Sequence, residues 1–192
     1  MSSDAGALPE SMSVSEFLLW EDGTDTRHEL VDGRVVAMAP PSPTHSTIAA
    51  NLAVMIGTQV APPSRPTVEW GVPRPNGESY FQADLAVVCG AIVPGETPPD
   101  PVLIVEITSP STYDHDVGRK AMFYREIPAC RTIPVVESTR RRVTVLTRQV
   151  NGWLLRDHIG DAVIDIAEPA LRLTLADIYA GVSLERVRPA DT

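Results

Sequence analysis

Residues 102–112 of the chain read Val-Leu-Ile-Val-Glu-Ile-Thr-Ser-Pro-Ser-Thr, an aliphatic run broken by one acid and followed by a turn-forming segment. The run over residues 102–107 predicts a β-strand, because it is short, continuous and rich in β-branched residues. Its acid is Glu106. A carboxylate embedded in a buried strand is costly unless a cation, hydrogen-bond donors or a metal ion compensates it. Glu106 is therefore the first candidate for a functional site.

A second acid stands at the mouth of another apolar strand, predicted over residues 81–89. Asp84 follows Gln82-Ala83 and precedes Leu-Ala-Val-Val. If the two strands are neighbours, the carboxylates of Asp84 and Glu106 converge, and a hard divalent ion such as Mg²⁺ prefers oxygen ligands of this kind. The alternative is a pair of strand-end acids that bond to backbone amides. We favour the metal site because a lysine completes the pattern.

That lysine is Lys120, which lies within a helix predicted between Ser109 and Arg125 and ended by Pro128. From this helix Lys120 could point back across the sheet to the two carboxylates. An ammonium group there can orient a water nucleophile or neutralise charge that develops on a phosphorane-like transition state. Taken alone, Lys120 would be read as a solvated helix residue.

The other elements predict an α+β fold, a mixed β-sheet flanked by helices. Asp32-Gly33 and Asn151-Gly152 are dipeptides typical of hairpin turns between strands. Capping patterns at Ser13 and Thr174 predict short helices, and Thr44 can cap a longer one. The helices are predicted at 13–22, 44–60 and 174–179, and the remaining strands at 27–31, 34–38, 67–72, 133–136, 142–146 and 153–156.

Length and composition predict a single intracellular domain. With 192 residues and 43% hydrophobic residues, the chain can bury one sizeable core. We expect a flexible lead over residues 1–12, one domain over 13–182 and a flexible tail over 183–192. No apolar run is long enough for a membrane span, and the start does not resemble a signal peptide, so a cytoplasmic location without membrane contact is expected. Cys89 and Cys130 lack the spacing of a zinc site or a disulfide framework.

Charge argues against a strong nucleic-acid binder, because 25 acidic and 16 basic residues give a net charge of −9. One stretch departs from this average and could form a local basic strip. The alternative, solvated cations on an exposed hairpin, is favoured because runs of charge usually lie on the surface. The stretch contains Arg131, Arg140, Arg141, Arg142 and Arg148.

The stretch from Val105 to Thr112, followed by Asp116, Lys120 and Tyr124, resembles the signature of the Uma-type restriction endonuclease family, part of the PD-(D/E)XK nuclease superfamily. Upstream segments agree with that family in order, and the match runs from about Ser13 to Tyr179. These segments are Glu29–Gly33 for the first hairpin, Pro41–His45 for the step into a helix, and Ala83–Val88 for the strand named after its Pro-Asp pair.

This resemblance implies a restriction-endonuclease-like fold and Mg²⁺-dependent hydrolysis of DNA phosphodiesters, with Mn²⁺ as an alternative ion. Asp84 and Glu106 would be metal ligands, Ile107 would offer its backbone carbonyl, and Lys120 would be the motif lysine moved onto a helix. Glu29 resembles an additional acid of the family near the site. A homodimer is also expected, because small nucleases of this kind often use two active sites for two strands.

Two histidines are also candidate metal ligands. His45 matches a family histidine at the start of the second helix, but such a residue more often bonds to a local carbonyl. His115 lies between two aspartates, and a solvated acidic cap is the better interpretation because adjacent side chains diverge on a helix.

The sequence departs from the family pattern at three places. Thr108 stands where the general superfamily motif has its lysine, so Lys120 must substitute for it. Ala83 replaces the proline of the Pro-Asp pair. Residues 133–137 read Ile-Pro-Val-Val-Glu, and because Pro134 removes a strand donor, we expect this strand at an edge or locally irregular.

Two functional hypotheses therefore follow. In the first, the protein is a nuclease in which Asp84 and Glu106 hold the ion, Lys120 positions water, and Glu29 assists or binds a second ion. In the second, it keeps the fold but serves as a catalytically inactive binding or assembly module. Serine or cysteine hydrolases and nucleotide-binding glycine loops are excluded, because the motifs that they require are absent.

Overall fold

The strand that carries Glu106 lies inside an eight-stranded mixed sheet. The computed structural model describes residues 11–108 and 118–184. Strands β1 and β2 form a hairpin, β3 to β5 and β6 to β8 form the body of the sheet, and β9 and β10 form a separate two-stranded sheet. The strands are β1 His28–Val31, β2 Arg34–Ala37, β3 Ser64–Pro73, β4 Tyr80–Cys89, β5 Pro101–Thr108, β6 Thr132–Glu137, β7 Arg142–Gln149, β8 Gly152–Ile159, β9 Val163–Ile166 and β10 Leu171–Thr174.

In the described part of the chain, four helices flank this sheet, which confirms the predicted α+β class. Three of them have a single turn, and a π-helical turn at residues 118–120 leads into the third. No helix within the described ranges is long and apolar enough to cross a membrane. The helices are α1 Val14–Phe17, α2 Pro43–Gly57, α3 Ala121–Tyr124 and α4 Leu175–Ile178.

The β1–β2 hairpin has the turn that its sequence predicts. Val31 pairs with Arg34, and the two residues between them have φ of 49° at Asp32 and 79° at Gly33. Two successive left-handed residues are the geometry of a type I′ turn, which matches the twist of the strands on either side. The hairpin therefore presents Glu29 from β1 in a fixed register.

Helices α1 and α2 differ slightly from their predicted limits. Ser13 and Glu16 form the expected capping box, but α1 ends at Phe17 instead of about Asp22. Helix α2 begins two residues earlier than predicted, because Ser42 rather than Thr44 is the N-cap and Pro43 occupies the first turn.

Helix α2 covers one face of the sheet and α3 covers the other. The α2 side chains Ile48, Leu52 and Ile56 pack on Leu85 of β4, together with α4, β9 and β10. On the opposite face, residues of α3 pack against Ala83, Ile104, Ile133 and Leu146. Two cores thus lie back to back across β4 and β5.

The position of β6 decides between the two alternatives expected for this strand, in favour of local irregularity. Strand β6 is not an edge strand, since it runs parallel to β5 and antiparallel to β7, and all six of its residues are buried. The β5–β6 pairs resume at Glu106↔Val135 after Leu103↔Thr132, whereas Pro134 pairs with Val145 of β7. The donor missing at Pro134 is therefore accommodated by a local interruption on the β5 side.

The arginine-rich stretch between Arg131 and Arg148 is not a free cationic surface. Arg140 and Arg142 pair with the buried Glu137, Arg141 pairs with Asp161, and Arg131 pairs with Glu168. The contacts of Arg140 and Arg142 hold the end of β6 to the start of β7.

The fifth arginine of that stretch closes the end of α3. Arg148 donates to the carbonyls of Arg125, Ile127 and Cys130, at 2.7–2.9 Å. Its guanidinium also lies 4.6 Å from the centroid of the Trp153 ring. Both contacts use the planar, multidentate character of the guanidinium group.

The β9–β10 hairpin was not predicted from the sequence. Its four-residue strands are too short for a clear alternation, although Ile164, Ile166, Leu171 and Leu173 all enter the α2-side core. Helix α4 begins as expected, because the Thr174 side chain accepts from the Asp177 amide.

The predicted N-terminal lead and C-terminal tail fall mostly outside the described ranges. Met12, the last residue of the predicted lead, is buried and donates its amide to the Gly33 carbonyl at 2.8 Å.

Candidate active site

A gap along one side of β4 creates the site. Strand β3 pairs with the opposite side of β4 along its length, but β5 pairs only with residues Leu85 to Val88 and β1 only with Tyr80. Between these contacts, side chains instead of a neighbouring strand form hydrogen bonds with the β4 backbone. The Gln82 amide donates to Glu29 Oε1 at 2.9 Å, and Lys120 Nζ donates to the Gln82 carbonyl at 3.4 Å.

Lys120 is the centre of the gap. Its ammonium lies 2.8 Å from Glu29 Oε1 and 3.6 Å from Glu106 Oε2. All three residues are buried, with exposed fractions of 6% or less. A buried carboxylate requires a nearby positive charge, and Lys120 provides one for two acids on different strands. The structure thus brings together Glu29, Glu106 and Lys120 from β1, β5 and the turn before α3.

Tyr124 holds the second oxygen of Glu106. It lies four residues after Lys120 and donates its hydroxyl to Glu106 Oε1 at 2.5 Å. Burial raises the pKa of the Tyr124 hydroxyl well above its usual value, and the nearby Glu106 carboxylate raises this pKa further. The hydroxyl therefore remains protonated and acts as a donor.

Tyr124 has no role in the sequence-based prediction beyond its place in the family signature. Its spacing from Lys120 was the available signal, because residues four apart lie on one face of a helix.

Asp84 is oriented from the other face of the sheet. Its Oδ2 accepts from the Ile107 amide at 2.6 Å, and its Oδ1 lies 3.0 Å from His45 Nε2 at the start of α2. Asp84 therefore contacts the residue next to Glu106, but it is approached by α2 while Glu106 is approached by α3. The contact with a backbone amide is the arrangement expected of a strand-end acid.

His45 differs from its predicted role as a residue bonded to a local carbonyl. Its Nε2 faces Asp84, while its Nδ1 is buried and has no hydrogen-bond partner among the described residues. A neutral ring that donates from Nε2 leaves only a lone pair at Nδ1, which is less costly to bury than an unpaired N–H. The sequence could not indicate this contact, because 39 positions separate the two residues.

An irregular backbone lies directly across from Asp84. Glu69 of β3 has φ of 53°, and the β3–β4 pairs Val68↔Leu85 and Trp70↔Ala83 flank it. A left-handed non-glycine residue within a strand is uncommon and costs free energy. It accompanies a change of packing along β4, because Ala83 belongs to the α3-side core and Leu85 to the α2-side core.

Ile107 lies at the site through its backbone amide. Ile107 pairs with Val136 of β6 and gives its amide to Asp84, and the role of its carbonyl as a ligand stays a prediction. The turn at 109–112, His115 and Asp116 lie outside the described residues.

The donor chemistry at the gap fits a magnesium ion. Among residues 11–108 and 118–184, no three His, Cys, Asp or Glu side chains gather as a group that could hold a metal. Mg²⁺ is commonly bound through one or two carboxylates, with waters and substrate phosphates as the other ligands. Asp84 and Glu106 match this open type of donor set rather than a closed one.

A comparison with family models shows to which family the chain belongs. The family model described as "Uma2: Putative restriction endonuclease" matches residues 14–177, which include every site residue above. The chain belongs to the Uma2 family. The family that the sequence resembles is thereby confirmed.

A solved structure shares the fold. It is described as the "crystal structure of a putative nuclease belonging to DUF820 from Anabaena variabilis ATCC 29413" and superposes with a TM-score of 0.72. The match covers 88% of this chain and 98% of the other, at 19% identity. The restriction-endonuclease-like fold class is therefore confirmed for this Uma2-family chain.

Two sequence relatives come from Synechocystis sp. (strain ATCC 27184 / PCC 6803 / Kazusa). "Uncharacterized protein slr1290" is 26% identical over 180 residues, covering 90% of this chain and 93% of its own length. "Uncharacterized protein sll1609" is 25% identical over 167 residues, covering 81% and 92%. Both are similar to this Uma2-family chain along nearly their whole lengths.

The ion cluster generates a prediction about stability. Lys120→Met keeps the aliphatic stem but removes the charge, so Glu29 and Glu106 remain buried without their shared cation. We expect a loss of about 3–5 kcal/mol in the free energy of unfolding, measured by urea denaturation near pH 7. Adding Glu29→Gln should restore part of this loss. An unchanged unfolding midpoint for Lys120→Met would contradict the role of this lysine.

The raised pKa of Tyr124 generates a pH-dependent prediction. The unfolded tyrosine ionises near pH 10 and the folded one at higher pH, so its contribution to stability is complete below about pH 10 and is lost as the pH rises above it. Tyr124→Phe should be less stable than the wild type near neutrality, and this difference should shrink above about pH 10. Urea unfolding at several pH values measures both; a difference that stays constant up to high pH would rule out this linkage.

Proposed function

We propose that this protein is a metal-dependent endonuclease that hydrolyses DNA phosphodiester bonds, with Mg²⁺ as its ion and Mn²⁺ as an alternative. The observation that carries the proposal is the position of Asp84, Glu106 and Lys120 around the point where β4 and β5 separate. Membership of a family described as restriction endonucleases supports the same reaction class.

Asp84 and Glu106 would hold the ion, with the Ile107 carbonyl as a further oxygen ligand. A bound Mg²⁺ would supply a coordinated water of lowered pKa and a Lewis acid for the phosphate oxygens. The chain's contribution is the fixed orientation of both carboxylates before the ion arrives. The contacts that fix them are a 2.6 Å bond from the Ile107 amide to Asp84 and a 2.5 Å bond from Tyr124 to Glu106.

Lys120 supplies the positive charge of the site. Glu29 and the Gln82 carbonyl hold its ammonium in place, so little reorganisation is needed when negative charge develops on a phosphate nearby. The same ammonium can donate to an attacking water. Glu29 would therefore assist by positioning Lys120 rather than by contacting DNA.

His45 is a positioning residue in this proposal. Its ring donates to Asp84 and its other nitrogen is buried, so it acts through the carboxylate instead of on substrate. Groups that orient a ligating carboxylate commonly change metal affinity when they are removed.

A binding or assembly module without catalysis is the second candidate, and two observations favour it. The net charge is −9, and each of the five arginines of the stretch between Arg131 and Arg148 contacts groups of its own chain. In that case the buried cluster would hold β1, β5 and α3 together and would have no substrate.

Cleavage of circular DNA separates the two candidates. Supercoiled plasmid and circular single-stranded DNA, which have no ends, should be cut by the wild type with Mg²⁺ or Mn²⁺ and left intact with a chelator. Glu106→Gln should lower the cleavage rate by about 10²-fold or more, because it removes a charged ligand. Glu126→Gln, at a half-exposed acid paired with Arg74, is the matched control and should cleave normally.

Two results would count against the nuclease. Cleavage that persists unchanged in Glu106→Gln would remove the site assignment. Folded wild-type protein that cuts neither substrate with either ion would support the binding module.

A second prediction concerns His45 and is measured without turnover. His45→Ala should weaken Mn²⁺ binding about tenfold in a calorimetric titration, because Asp84 loses the group that orients it. His45→Gln, whose amide can still donate, should lose less affinity. His158→Ala, on the distant β8 strand, is the control. Equal Mn²⁺ affinity in His45→Ala and the wild type would show that His45 does not position a ligand.

A further inference from the structure

The outer side of β8 is an uncovered sheet edge. Gly152–Ile159 pairs with β7 over eight residue pairs without interruption, from Arg142↔Ile159 to Gln149↔Gly152. On its other side, β8 has no neighbouring strand within the part of the chain that the structure describes. An edge of this length offers a regular row of backbone donors and acceptors that only another strand can pair fully.

The other edges of the sheet carry protection that β8 lacks. Strand β3 contains Pro66 and the left-handed Glu69, each of which interrupts a regular edge, and β2 is only four residues long. Neither a proline nor a bulge occurs in β8. Proteins protect exposed edges by such backbone devices and by charged side chains, and β8 carries only the second kind, at Arg156 and Asp157. An edge without a proline or a bulge keeps a regular backbone with which another strand can pair.

Apolar side chains are exposed on both faces of β8. Leu154, which is 42% exposed, lies on one face, and Leu155, which is 52% exposed, lies on the other. Side chains alternate along a strand, so a partner that covered one face alone would leave the other in water. A partner that covers both faces of β8 is a strand that pairs with its edge, continues the sheet and carries apolar residues on both of its own faces. Strand β8 itself has this composition.

We propose that two copies of this chain form a dimer by antiparallel pairing of their β8 strands, with the two-fold axis at Leu155. In an antiparallel pair, two residues that lie opposite each other point to the same face of the sheet. A two-fold axis perpendicular to the sheet must therefore lie midway between one residue and its own copy, and not between two successive residues. An axis at Arg156 or Asp157 would place like charges opposite each other, which is destabilising.

An axis at Leu155 avoids this repulsion. It pairs the two Leu155 side chains, sets Arg156 opposite Leu154 of the partner subunit, and pairs residues 152–158 of both strands. An axis at Leu154 would shorten the paired stretch to residues 152–156. The resulting sheet would continue through both subunits. This inference does not rest on the proposed nuclease activity.

The oligomeric state of the full chain tests the dimer. Analytical ultracentrifugation over a micromolar concentration series should show a reversible dimer for the wild type. Leu155→Arg places two cations together at the axis and should raise the dissociation constant about tenfold or more. Two matched controls should leave it unchanged: Val54→Arg on α2 and Val68→Arg on the β3 edge, both at exposed valines. Thermal melting of each variant verifies that the fold is kept.

Disulfide trapping tests the register. In a Cys89→Ser background, which removes the exposed cysteine, Leu155→Cys should link two chains on mild oxidation, because paired positions lie about 4.5–5.5 Å apart at Cβ. Arg156→Cys should link poorly, since its opposite position is Leu154. A monomeric wild type, a dimer that Leu155→Arg leaves intact, or dissociation by Val68→Arg instead would overturn the proposal. Stronger linkage through Arg156→Cys would overturn the axis at Leu155.

Discussion

The need to neutralise buried carboxylates governs the centre of this fold. Glu29 and Glu106 come from different strands, and each would be costly to bury alone. Lys120 forms ion pairs with both and also donates a hydrogen bond to the carbonyl of Gln82. One ammonium thus satisfies groups on β1, β4 and β5. The side of β4 can therefore remain without a neighbouring strand at this point. Removing the charge would disturb three strands at once, which explains why a residue suited to chemistry also determines the architecture.

The candidate site forms where the two cores meet, and each carboxylate is supported from a different layer. Helix α3 contributes Lys120 and Tyr124 to Glu106, whereas α2 contributes His45 to Asp84. The Ile107 amide joins the layers, because it bonds to Asp84 from the residue next to Glu106. The separation of the two carboxylates consequently depends on how both helices pack on the sheet. A change in either core can alter the site without replacing any residue in it.

Local patterns predicted the strands well, but they did not predict their neighbours. Continuous aliphatic runs identified β4 and β5, and Asp32-Gly33 identified the first hairpin, since both signals depend on nearby residues. Pro134 indicated a strand that is at an edge or locally irregular, and it could not decide between the two, because a proline is tolerated inside a sheet when the pairing is interrupted locally. The contact between His45 and Asp84 and the bond from Tyr124 to Glu106 depend on tertiary packing. The residue types therefore indicated which side chains could take part in catalysis. Only the fold showed which of these side chains contact one another.

The guanidinium of Arg148 connects regions of the molecule that serve different purposes. It binds three carbonyls at the end of α3 and stacks on Trp153 of β8. The helix that carries Tyr124, and the turn that carries Lys120, are thereby anchored to the outermost hairpin of the sheet. A side chain on the rim and an ammonium in the interior are thus joined by contiguous contacts. Replacing the Arg148 guanidinium would therefore remove support from the outermost hairpin and from the segment that positions Lys120 at the same time.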